Sequence, residues 1–212
     1  MNKNEHFVIT INRELGSGGR TVGRLIAKKL GVSYFDKALI QALQKEYNLS
    51  VSEIEKLKGL KQGWWGEVQR IFSIGPSITT DYYMPHLGEE PDYLTTDEVF
   101  ETETAILEKL ATEGSCVIAG RSGFHVFRNH PNRLSILIQA SLEHRLERVM
   151  CKQNVTREEA QTIIKKVDKM RENYVKKYTG TSRYDTRNYQ LVISADEKTE
   201  EEIADLILRY IG

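Results

Sequence analysis

Several protein classes are excluded by what this sequence of 212 residues has little of. It has two cysteines, Cys116 and Cys151, at no metal-ligand spacing; Cys116, inside the apolar run CVIAG, reads as a small core residue. Net charge is absent too: 30 Lys and Arg balance 30 Asp and Glu, so nothing global draws the chain to nucleic acid or to an anionic membrane surface. No apolar run is long enough to cross a bilayer, and MNKNEH at the N-terminus is no signal segment. Internal repeats and low-complexity tracts are missing as well. Proline is scarce, with four in all, three of which (Pro76, Pro85, Pro91) fall within 75–96. A soluble, cytoplasmic protein of one domain is expected, with no nucleic-acid or membrane partner.

What is present is a repeated alternation of short apolar runs with helical patterns. Strands are expected at 7–11, 32–35, 115–119, 134–138 and 191–194. Helices are expected from Thr21 to Leu30, from Ala38 to Tyr47, over 54–60, for a turn or two over 68–74, and from about 95 to Glu113. Further helices follow over 141–154, from 156 to about Tyr178, and after Thr199. Ser50 with Glu53, Thr95 with Glu98, Thr156 with Glu159, and Thr199 with Glu202 read as capping boxes. Residues 179–188 read as polar loop. Continuous apolar strands between helices predict an α/β fold, a five-stranded parallel sheet covered by helices on both faces. Region 37–96 reads as an insertion over that sheet. Ligands in such folds lie at the C-terminal ends of strands, which nominates the loops 12–20, 35–37, 120–123 and 139–141.

The first of these loops organises the chain. FVITINRELGSGGRTVGR runs strand, glycine-rich loop, helix, which is the plan of a phosphate-binding loop. Glycines let the backbone approach and turn several N–H groups inward, and the helix N-terminus adds about half a positive charge. Gly16, Ser17, Gly18, Gly19, Arg20 and Thr21 are the candidate phosphate ligands, with the Thr21 hydroxyl placed for a magnesium ion. The match to G-x-x-x-x-G-K-[ST] is incomplete. Aligned that way, Glu14 stands at the first glycine and Arg20 at the lysine. Aligned with the longer form ending Gly-Lys-Gly-Thr, Arg13 replaces the first glycine and Gly19 the lysine. Either way the lysine is missing and Arg20 is the nearest cation.

Asp36 closes the second strand and Arg121 the third, so both are expected to face this loop. An arginine fork suits bidentate phosphate recognition. Arg121 could instead form an ion pair with Asp36 or meet a helix terminus, and Asp36 could cap the following helix. Arg145 and Arg148 lie one turn apart on one helix face, suited to the equatorial oxygens of a transferring phosphoryl group, or simply solvated. Arg171, Tyr174 and Tyr178 share a stripe aimed at the site, at core or at a partner.

INRELGSGGRTVGRLIAKKLGVSYFDKALI, VIAGRSG, ASLEHRLERV, VDKMRENYVKKYTG and NYQLVISAD, in this order, resemble the cytidylate kinase-like family of P-loop nucleoside monophosphate kinases. The likeness is strongest to a divergent bacterial branch whose loop reads R-E-x-G-S-G-G-R. It implies a P-loop kinase core with a helical monophosphate-binding insertion (37–96) and an arginine-bearing lid around 141–156. By position, Gly16 to Thr21 would cradle ATP phosphates, and Asp36, Arg121 and Ser122 would border the acceptor. Arg145 and Arg148 would belong to the lid, with Arg171 the nearest cation after it, giving Arg20, Arg145, Arg148 and Arg171 as catalytic candidates. The chain departs from the standard family at Ser122, where an Asp helps read cytosine. The expected activity is ATP- and magnesium-dependent phosphoryl transfer to a nucleoside monophosphate, CMP or dCMP. The alternatives are a kinase for another small acceptor, a nucleotide-binding regulator without turnover, and an interaction module built on the Trp- and Tyr-rich 63–93 segment.

Overall fold

The structure is a computed structural model that describes residues 1–37, 40 and 97–212. The helices expected over 38–47, 54–60 and 68–74, the capping residues Ser50 and Thr95, and the irregular stretch 75–96 lie outside the described residues, and so does most of the 37–96 insertion.

Period-two alternation in β1 (Val8–Arg13) sends Ile9 and Ile11 to one side of the sheet and Val8 to the other. Strand β2 (Ser33–Asp36), β3 (Cys116–Ala119), β4 (Arg133–Gln139) and β5 (Leu191–Ser194) complete the sheet. All pair in parallel, in the order β2-β3-β1-β4-β5. This is the expected α/β arrangement, with strand ends shifted by one or two residues.

Helix α1 (Gly19–Leu30) and the C-terminal helix cover one face. Val22, Ile26 and Ala27 of the first and Ile203, Ala204 and Ile207 of the second pack on Ile9, Val117 and Ile136. On the other face α2 (Asp97–Glu113) lays Ile106, Leu107 and Leu110 over Val8, Phe35 and Ile118. The short α3 (Gly123–Val126), which the sequence pattern does not announce, follows β3 directly. Helices α4 (Leu142–Gln153) and α5 (Arg157–Thr179) pair with each other through Leu146, Val149, Ile163, Ile164 and Val167. The last helix, α6, spans Glu200–Ile211.

The helix boundaries follow local chemistry. Ser141 accepts from the His144 N–H to start α4, and complete capping boxes at Thr156–Glu159 and Thr199–Glu202 start α5 and α6. Gly31 ends α1 in the left-handed conformation, its N–H returned to Ala27 and Lys28. Helix α1 begins at Gly19, two residues before the periodicity places it, because Gly18 at φ 77 already accepts the Val22 N–H. The polar stretch 179–188 is more ordered than its composition implies. It holds a 3-10 turn (Thr186–Asn188) and the fully buried Arg183.

Candidate active site

The neighbouring strands β1 and β4 lead to opposite edges of the sheet, β1 toward β2 and β4 toward β5. Their C-terminal ends therefore open a crevice where ligands of doubly wound sheets sit. The phosphate loop, residues 14–18, closes one side of it. Gly16 and Gly18 have φ of 86 and 77, a left-handed geometry that turns successive N–H groups in one direction. Ser17 is buried under the loop, where its hydroxyl donates to the carbonyls of Glu14 and Ile138 at 3.0 and 3.1 Å. Ser17 therefore braces the loop with its side chain and leaves only its backbone to a ligand.

Leu15 is the loop's anchor. Its side chain enters the apolar seam between α4 and α5, burial that stabilises by roughly 1.5–3 kcal/mol. Its N–H donates to Asp168 Oδ1 at 3.1 Å, and its carbonyl accepts from Arg145 Nε at 2.8 Å. Arg145 also pairs with Glu14 Oε1 at 3.1 Å and with Asp168. Space beneath the loop is so limited that a Cβ on Gly16 would lie 2.8–2.9 Å from the backbone and Cβ of Arg145. Arg145, expected as a lid arginine or a solvated charge, is thus buried beneath the loop it was expected to face.

Arg148, one turn on, stands at the other edge. Its guanidinium lies 3.5 Å from the Thr21 hydroxyl and pairs with Glu200 at the start of α6. The Glu200 carboxylate also abuts the loop, since a Cβ on Gly18 would come within 3.2–3.5 Å of it. Arg20 turns from the loop toward the end of β2 and pairs with Asp36 at 3.3 Å, with Arg24 3.9 Å from the same carboxylate oxygen. Asp36 is buried as the centre of that ion-pair group.

Across the crevice, Arg121 pairs with Glu103 of α2 and lies over the Tyr174 ring, 4.7 Å from its centroid. Arg121 does enter an ion pair, with Glu103, a partner that the sequence reading did not name. Both Arg121 and Ser122 have φ of 52, sparsely populated for residues with side chains and concentrated at sites where backbone strain serves a function. Ser122 is buried. The stripe of Arg171, Tyr174 and Tyr178 resolves into two jobs. Tyr174 and Tyr178 pack on Phe100, whose ring is stacked on Tyr178 at 4.2 Å. Arg171 instead turns to the end of β1, where it donates to the Arg13 carbonyl at 3.2 Å.

Arg183 donates to that same carbonyl, with its Nη1 3.6 Å from Asp168. Arg13, Arg171 and Arg183 thus gather round one strand end. Burial, then the like charges of Arg13 and Arg183, hold the Arg171 guanidinium well below its usual range. A group of cations this dense has the character of an anion site. Sequence reading nominated Arg171 but missed Glu14, Leu15, Asp168, Arg183, Glu103 and Glu200. Only Asp168 carried a hint, an acid one helical turn before Arg171.

Comparison with known proteins finds relatives over nearly the whole chain. Over 206 residues the chain is 24% identical to a cytidylate kinase of Sulfolobus acidocaldarius, covering 96% of this chain and 93% of that protein. It is 27% identical to an S-adenosylmethionine-dependent nucleotide dehydratase of Lacinutrix mariniflava, of which it spans only 35%. Among solved structures it is similar to a protein of Eubacterium ventriosum, with a TM-score of 0.69 at 22% identity, covering 97% of this chain and 98% of the other. A gluconokinase of Sinorhizobium meliloti gives 0.52 at 14%, covering 96% and 90%. The profile of the cytidylate kinase-like family matches residues 8–197, nearly the whole of the strand–loop–helix core just described, and the chain belongs to that family.

Proposed function

We propose that this protein transfers the γ-phosphoryl group of ATP to the 5′-phosphate of CMP or dCMP. The observation that carries the reading is the loop at the end of β1, whose left-handed glycines and helix start face a crevice ringed by arginines. Phosphoryl transfer needs little covalent chemistry from a protein. The acceptor phosphate is itself the nucleophile, so positioning and neutralisation of charge on the transferring group suffice.

In this reading the N–H groups of residues 16–21 hold the donor phosphates. Arg148 and Arg171 approach the transferring group from the α4–α5 side, and Arg145 keeps the loop in shape beneath it. Arg20, Asp36 and Arg121 border the acceptor. Magnesium would enter with ATP and rest on the Thr21 hydroxyl. Among the described residues no three acidic, histidine or cysteine side chains form a metal cluster. When bound the ion neutralises charge between the donor phosphates.

A coupled assay of ADP release against a panel of nucleoside monophosphates tests this reading. Ser122 offers a base edge no carboxylate, so CMP is expected to be preferred only modestly over UMP, and Ser122→Asp to sharpen the preference. Arg121→Ala is expected to weaken every acceptor alike; unchanged KM for all of them would remove Arg121 from the acceptor site. A second reading, a nucleotide-binding regulator, is favoured by one observation. Arg20, Arg121 and Arg148 each already engage a protein carboxylate. No turnover with any monophosphate, with ATP still bound, would establish that reading instead.

A further inference from the structure

The missing loop lysine has a structural counterpart. Aligned with the longer form of the loop, two positions are exchanged: Arg13 stands where glycine belongs and Gly19 where lysine belongs. In the structure these positions touch. A Cβ on Gly19 would lie 2.6 Å from Arg13 Cβ and 3.0 Å from its Cγ, so the Arg13 stem occupies the space that a side chain at 19 would need. Beyond Gly19, the Arg13 guanidinium reaches Gly120 at the end of β3. That glycine is left-handed, at φ 86, and a Cβ on it would collide with Arg13 Nη1. Two glycines therefore make the channel through which this side chain crosses from β1 to β3, at the crevice itself.

Every other arginine of the centre is tied to protein atoms. Arg145 pairs with Glu14 and Asp168, Arg148 with Glu200, Arg20 with Asp36 and Arg121 with Glu103, while Arg171 and Arg183 donate to the Arg13 carbonyl. Among the described residues the Arg13 guanidinium has no hydrogen bond and no ion pair, although its backbone carbonyl accepts from both Arg171 and Arg183. Burial brings it down to about 10, with Tyr34 and Asp36 drawing it up and Arg20 and Arg183 pushing it down, so it remains charged at neutral pH. A buried cation at a strand end, with no hydrogen bond or ion pair of its own among the described residues, is a group whose partner arrives with a ligand.

We propose that Arg13 is the phosphate-binding cation of this loop, supplying from the end of β1 the contact to the β- and γ-phosphates of a nucleoside triphosphate that a P-loop lysine supplies from the helix start. Arg13 and Gly19 are a matched pair, since either without the other leaves a clash or a gap. The inference rests on the kinase reading for its kinetic consequences, though not for its binding ones.

The test measures binding of ATP and of inorganic triphosphate by isothermal titration, ADP release with the best monophosphate acceptor, and thermal midpoints, for the full chain. Arg13→Ala is expected to weaken both ligands by about tenfold to a hundredfold, the scale of one charge-assisted hydrogen bond or two. It should lower kcat by roughly 10²-fold and leave the midpoint unchanged or raised, because an unpaired charge is removed. Gly19→Lys alone is expected to lose binding through the clash with Arg13. The double variant Arg13→Gly with Gly19→Lys rebuilds the usual loop and should recover triphosphate binding to within about tenfold of wild type. Triphosphate affinity in Arg13→Ala within about threefold of wild type overturns the proposal. So does a folded double variant that binds no better than Arg13→Ala. Should the double variant not fold, Arg13→Lys decides: partial retention of binding supports a ligand role, and binding no better than in Arg13→Ala overturns it. A wild-type protein that turns over no monophosphate defeats the kinase reading, while the titrations still decide the role of Arg13.

Discussion

The two sides of the phosphate loop hold their charges in opposite ways. Beneath it, where α4 and α5 meet Leu15, the Arg145 guanidinium is matched by Glu14 and Asp168, and the Leu15 backbone groups are bonded on both sides. Across it, at the end of β3, Arg13 faces Gly120 without a carboxylate of its own among the described residues. A paired, buried guanidinium serves as scaffold, and removing its partner leaves a costly uncompensated charge. An unpaired one at a crevice is held ready for an anion. The contrast separates residues whose loss should unfold the protein from residues whose loss should only silence it.

Breaking the scaffold side is expected to have the largest effect. Asp168 pairs with Arg145, accepts the Leu15 N–H and stands 3.6 Å from Arg183 and 3.9 Å from Arg171. Asp168→Ala should cost about 3–5 kcal/mol of stability in chemical denaturation. A midpoint within error of wild type would mean that the underside charges do not brace the loop.

Next in size is the loop backbone itself. At φ 77, with the Glu200 side chain 3.1 Å from where a Cβ would go, Gly18 cannot become Val without straining the loop and displacing the Glu200 side chain. Gly18→Val is expected to abolish ATP binding in a titration while most of the fold persists, since the core beneath α1 is untouched.

Arg145 and Arg148 sharpen the comparison, being three residues apart on one helix and unlike in surroundings. Arg145→Ala should lower the thermal midpoint and activity together. Arg148→Ala should lower kcat by roughly 10²-fold with little change in midpoint and a smaller change in ATP affinity. Equal midpoint losses in the two variants would erase the distinction.

The smallest effect is expected at Glu200. Its carboxylate sits beside Gly18 and holds Arg148, so in the proposed reading it would repel incoming phosphates and occupy a cation they would use. Glu200→Gln should tighten ATP about two- to fivefold at low salt and less at high salt, the scale of a partly exposed pair. Weaker binding in the variant would show that Glu200 helps the ligand.

Much of the fold was legible because its signals are local. The serine and threonine caps at 141, 156 and 199, Gly31 after the first helix, and the apolar strands each depend on residues within a few positions. The glycine loop was legible for the same reason. What joins the loop to the rest was not. Leu15 meets Arg145 and Asp168 across 130 and 153 residues, and no periodicity encodes such a meeting. Glu103 looks like one acid among several on α2, and its burial depends on Arg121 arriving from another element. Arg183 lies in a stretch whose composition reads as surface, yet it is fully buried against the Arg13 carbonyl. The direction of Arg13 could be read only once Gly19 and Gly120 were seen on either side of its side chain.

Phosphoryl transfer between nucleotides is read from its products. With MgATP and CMP, chromatography should show CDP and ADP appearing in equal amounts, and no CDP forming when the Arg148→Ala or Arg13→Ala protein is compared over the first wild-type turnovers. ATP that binds but yields no diphosphate from CMP, dCMP or any other nucleoside monophosphate would contradict the account.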